Sequence, residues 1–125
     1  MNGILMLIRS SRTDALRRIN MKVFVSQPMS GLTDAEIIAT REKVFGDYRA
    51  DHPNAVLMDA YTSIKKRFGE FYTYEHPNVA MLAAAIDVLA DADVVLFAKG
   101  WEKHRGCRIE DKVATYYDIK KEYAR

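Results

Sequence analysis

The chain holds one cysteine, three prolines and six glycines in 125 residues, and each scarcity removes a class of protein. A single cysteine, Cys107, excludes an internal disulfide framework and fits a reducing cytoplasm. No apolar run approaches the length of a membrane span, so no membrane partner is expected. No Walker glycine loop is present and no GxGxxG follows the first apolar strand, which removes nucleotide cradles of those kinds. The three histidines, His52, His76 and His104, are scattered, and two adjoin prolines. With the lone cysteine they make no ligand spacing, so neither metal nor cofactor is expected. An excess of one charge is also missing. The formal charge is +2, but residues 1 to 20 carry Arg9, Arg12, Arg17 and Arg18 against Asp14 alone. The rest of the chain has 15 basic and 16 acidic residues, which gives no electrostatic footprint for nucleic acid.

What is present is a chain 49% apolar, long enough for one domain with one core. Residues 1 to 20 read as an N-terminal extension: an apolar pentad, Ile4 to Ile8, precedes an Arg- and Ser-bearing stretch, and Met21 has the look of a start. The domain proper spans 21 to 125. Met21 to Ser26 is a core strand with Val23, Phe24 and Val25 consecutive, and it runs into the loop Gln27-Pro28-Met29-Ser30-Gly31. Thr33 with Glu36 predicts a capping box opening a helix that lasts to about Arg49. Ala55 to Met58 is a short strand with Asp59 at its carboxyl end. Tyr61 to Pro77, rich in aromatics, reads as an irregular segment of the kind that forms lids or binding loops. Asn78 is placed to cap a third helix whose stripe is Val79, Leu82, Ala83, Ile86, Leu89 and Ala90. Ile119 to Tyr123 reads as an edge strand. Strand–helix alternation of this kind predicts a single-domain α/β fold: a doubly wound, flavodoxin-like or Rossmann-like parallel sheet of four to five strands.

The organising stretch is Ala92 to Ala114. Five apolar residues, Val94 to Ala98, follow Asp93 and suit a strand buried on both faces. A loop with two glycines, Gly100 and Gly106, leads to a helix beginning near Cys107. Open α/β sheets place ligands at such carboxyl strand ends. Cys107, between Arg105 and Arg108, has surroundings that lower a thiol's pKa, but without a histidine partner it reads as a small packing residue. Glu110, expected in the helix's first turn, has two readings on periodicity alone. It serves the helix dipole, or it is a carboxylate nucleophile of the kind that attacks a sugar's anomeric carbon.

Three stretches, SQPMSG after the first strand, the DVVLF strand and GWEKHRGCRIE, resemble the nucleoside 2-deoxyribosyltransferase superfamily, and most nearly a small branch carried by phages and mobile elements. The resemblance covers about Met21 to Ile119. It implies cleavage or exchange of the N-glycosidic bond of a nucleoside or nucleotide, with Glu110 as the nucleophile and Asp93 a second catalytic carboxylate. It implies a sugar or phosphate site at Ser26, Gln27, Met29, Ser30 and Gly31. Asp59 would orient the sugar with Asp93, Trp101 or an aromatic of the Tyr61–Pro77 segment would stack on the base, and Arg105 and Arg108, with Gly106 between them, would meet phosphate. It further implies a homodimer or larger homo-oligomer. The chain departs from the family at one position: the acid expected on the helix before the central strand falls at Ala85. Asp87, two residues on, lies about 200° round that helix. The alternative on the same scaffold is a non-catalytic protein that binds a nucleotide or nucleotide signal, and a third reading is an interaction domain retaining an ancestral motif.

Overall fold

The computed structural model describes residues 20 to 125, so the reading of residues 1 to 20 as an extension lies outside the described residues, save Asn20. Four segments form one all-parallel sheet: β1 (Met21–Ser26), β2 (Ala55–Leu57), β3 (Val94–Phe97) and β4 (Lys120–Tyr123), in the order β2-β1-β3-β4. This is a doubly wound α/β fold of flavodoxin-like order, in which the direction of winding reverses between β1 and β3. All four residues of β3 are buried, as a β-branched and aromatic run between two helical layers requires.

Among the described residues five α-helices accompany the sheet: α1 (Asp34–Asp51), α2 (Ala60–Lys65), α3 (Phe68–Phe71), α4 (Pro77–Leu89) and α5 (Arg105–Tyr116). The alternation of side chains along the strands sorts the core into two layers. Val23, Val94 and Leu96 pack with Val44, Phe45 and Tyr48 of α1. Phe24, Val95 and Phe97 face the other way, onto Ala85 and Leu89 of α4 and Ala114 of α5. The α1 capping box is complete: the Glu36 amide donates to Thr33 Oγ1 at 3.2 Å, and the Thr33 amide donates to Glu36 Oε1 at 3.1 Å.

Four expectations are corrected in detail. Helix α4 begins at Pro77, with His76 in the capping position and no side-chain cap, because proline's fixed φ suits the first helical residue and displaces Asn78 inward. Val79 is exposed, and the buried face of α4 is Ala84, Ala85 and Leu89. The segment after β2 is two short helices, with Phe71 driven fully into the core. Helix α5 starts at Arg105, two residues early, so Glu110 falls in its second turn.

Leu89 is wholly buried between α4 and the sheet. Leu89→Ala is therefore expected to destabilise the fold by about 2–5 kcal/mol in urea denaturation. A loss below ~1 kcal/mol would mean that this layer is loosely packed.

Candidate functional site

The register of the central pair decides which loops meet. Ser26 is opposite Phe97, and the Ala98 amide donates to the Ser26 carbonyl at 2.8 Å. The loops after β1 and β3 therefore leave the same edge of the sheet, at the point where strand order reverses. Ser26 lies two residues after Phe24 and shares its face, the one covered by α5.

On α5 the buried positions are Cys107, Glu110 and Ala114, spaced three and four apart along one stripe. That stripe aims the Glu110 carboxyl at the sheet edge, where Ser26 Oγ donates to Glu110 Oε1 at 2.7 Å. Glu110 is 7% exposed and forms no ion pair among the described residues. Burial pushes its carboxyl up to about 7, against the Ser26 hydroxyl, which lowers it. Three residues before Glu110, just under one turn, Cys107 is also buried. Burial raises its thiol, Ser26 opposes that, and the Glu110 charge adds to it. The low-pKa thiol suggested by two flanking arginines is thus absent, and Cys107 packs.

The other residues named from sequence distribute unevenly. Gln27 is buried, but its Nε2 donates to the Ile37 carbonyl at 2.9 Å and ties the first loop to α1. Met29, Ser30 and Gly31 are exposed on that loop, with Gly31 at φ +81°, a backbone state glycine enters without strain. Arg105 and Arg108 are exposed on α5, and Arg108 Nη1 donates to the Glu102 carbonyl at 3.2 Å. Gly106 is the second residue of that helix. The indole of Trp101 lies 5.0 Å from the Phe97 ring and 5.5 Å from Tyr123, so much of its surface is spent inside the protein.

Two other carboxylates named from sequence have partners of their own. Asp59, after β2, accepts from the Thr62 amide and pairs with Arg41 Nη1 at 2.9 Å. Burial raises the Asp59 carboxyl, and those partners more than offset it and leave it below the ordinary value. Asp93 stands at the amino end of β3, where its Oδ2 accepts from the Lys22 amide at 2.8 Å. It is a strand's length, roughly 13 Å, from the edge that carries Glu110, so the structure does not bring those two carboxylates together.

Reasoning from sequence took Ser26 for a ligand contact and missed it as the partner of Glu110. It also missed Arg41. The signals were Ser26's parity with Phe24, the 107–110–114 spacing, and Arg41 one turn after buried Ile37. Among the described residues no cluster of three or more His, Cys, Asp or Glu is placed to hold a metal. One surface groove, of about 330 Å³, is lined by Ile38, Tyr61 and Lys65. Another, of about 610 Å³, lies against α4 and is lined by Phe71, Tyr74, Val79 and Asp87. Neither is lined by Glu110. No protein-family model, curated protein or solved structure matches this chain.

Because the folded carboxyl holds its proton longer than the unfolded one, Glu110 costs stability as pH rises from 4.5 to 7, and the full cost applies above 7. The displacement corresponds to roughly 3 kcal/mol. Glu110→Gln is expected to match the wild type near pH 4.5 and to exceed it in urea stability at pH 8. A Gln variant less stable by ~0.3–1 kcal/mol at every pH would instead mark a helix-dipole role.

Proposed function

We propose that the chain is an N-glycosidase or 2-deoxyribosyltransferase-like protein that acts on a nucleoside or nucleotide through Glu110. The observation that carries this reading is one buried carboxyl, held by a hydroxyl from the neighbouring strand, at the carboxyl edge where β1 and β3 diverge. Oε1 accepts from Ser26, which leaves Oε2 as the attacking oxygen. Attack on the anomeric carbon gives a glycosyl ester, and water or a second base then takes the sugar from Glu110. Met29, Ser30 and Gly31 on the first loop, and Arg105 and Arg108 on α5, are the groups in this reading that meet sugar and phosphate at the rim. Only the ionised carboxyl is a nucleophile, so turnover rises with pH through about 7 to a plateau.

The test is incubation with nucleosides, deoxynucleosides and their 5′-monophosphates, with both neutral and N-alkylated bases included, read for free base and thermal shift together. Base release by the wild type and none by Glu110→Gln is the expected result. Turnover that survives in the Gln variant would sink the nucleophile assignment, and stabilisation without release would favour a nucleotide-binding protein.

The same reading carries a homodimer or larger assembly. Tyr72, Tyr74 and Val79 are exposed around the start of α4 and offer apolar side chains to a second copy. Light scattering at tens of micromolar is expected to give at least the dimer mass, and a monomer would count against it.

A further inference from the structure

Glycosidic cleavage of an ordinary nucleoside needs two groups. One attacks the anomeric carbon, and another protonates the departing base, which would otherwise leave as an anion. Retaining glycosidases hold a second carboxyl about 5–5.5 Å from the nucleophile to supply that proton. Here the Glu110 carboxyl accepts from Ser26 Oγ, and among the described residues no second carboxyl is hydrogen-bonded to it.

Among the described residues, the acids nearest in sequence or fold to the site are engaged or exposed elsewhere. Asp59 is bound to Arg41 and the Thr62 amide. Asp93 sits at the opposite edge of the sheet, bonded to the Lys22 amide. Asp111 faces Lys121 and Tyr123. Asp87 lines the α4 groove, while Ala85, on the face of α4 turned to the sheet, is buried among Phe24, Val95 and Phe97. Glu102 is exposed on the turn before α5. His104 caps α5 six residues before Glu110, about 9 Å of rise and 240° of rotation away.

The charge of the site points the same way. A buried carboxylate is normally matched by a cation. Arg105 and Arg108 are exposed, and neither forms an ion pair with Glu110. Among the described residues, neither a second carboxyl nor a positive charge is paired with Glu110. One kind of substrate removes both deficits.

We propose that the site takes N-glycosides whose base already carries a positive charge, such as N-ribosyl pyridiniums and N-alkylated purines, in preference to ordinary nucleosides. The inference rests on Glu110 being the nucleophile. As the Oε2–C1′ bond forms, the C1′–N bond breaks and its electron pair stays on the ring nitrogen. The base departs as a neutral molecule and needs no proton. Water then bonds to C1′, Glu110 leaves as the carboxylate, and the water's proton passes to solvent. The net products are free sugar, neutral base and one proton. A positive ring beside Glu110 also favours the ionised carboxyl, so binding and nucleophilicity are coupled in the same complex. A 5′-phosphate is compatible, with Arg105 and Arg108 at the rim.

The test compares N-ribosyl nicotinamide and its 5′-phosphate with adenosine, guanosine, their deoxy forms and their 5′-monophosphates, using the full chain and chromatography of released base. General acid assistance is worth 10²–10⁴-fold, so the pyridinium glycoside is expected to be cleaved at least about 100-fold faster than any neutral nucleoside, and Glu110→Gln to lose that cleavage. Comparable release from the neutral nucleosides, again lost in Glu110→Gln, would overturn this inference and leave the nucleophile standing. Release from none of them would overturn both, as would pyridinium cleavage that survives in Glu110→Gln.

Discussion

The parallel pairing of β1 with β3 is the constraint from which the rest of the molecule follows. It joins segments about seventy residues apart, and Val23 opposite Val94 sets every later correspondence along the two strands. Side chains alternate across a strand, so a slip of one residue would send Phe24 and Val95 to the face now held by Val23 and Val94. Both layers of the core would be lost at once. The same slip would turn Ser26 away from α5, so the register that satisfies the core also sets the hydroxyl against Glu110.

At Glu110 burial and ionisation conflict. An apolar residue at its place on α5 would continue the buried stripe of Cys107 and Ala114 without electrostatic cost. The carboxyl is kept at the expense of a proton affinity near neutrality, and Ser26 is the partner that holds it towards the ionised form. Groups whose ionisation is displaced in this way concentrate at functional sites, and the location at the reversal of strand order supports the same view independently.

Much of the fold was legible because it rests on short-range patterns. The runs at Val23–Val25 and Val94–Ala98 read as buried strands, and the Thr33–Glu36 pair marked a helix start that the structure reproduces. The helical stretch around Phe71 was not legible: it is only four residues long and follows closely on α2, too little for a period to emerge. Glu110 was singled out by its place after the central strand, yet its first-turn assignment failed because Gly106 reads as a loop residue and proves to be helical. Its pairing with Ser26 spans 84 residues and depends on strand parity, which no local window contains. Asp93 shows the opposite error: adjacency to the right strand looked functional, but the amino and carboxyl ends of a strand belong to different faces of the molecule.

The two outer strands restrict how copies of this chain can meet. β2 is only three residues long, and β4 carries Lys120, Lys121 and Glu122 among its four. An unpaired strand edge is a template on which another chain can crystallise its own backbone, and short length and lysine are the usual defences against it. With both borders blunted in this way, growth of the sheet from one molecule into the next is disfavoured. Self-association, where it happens, is left to the helical layers, whose contacts are set by side-chain shape and so can close on themselves instead of propagating into fibres.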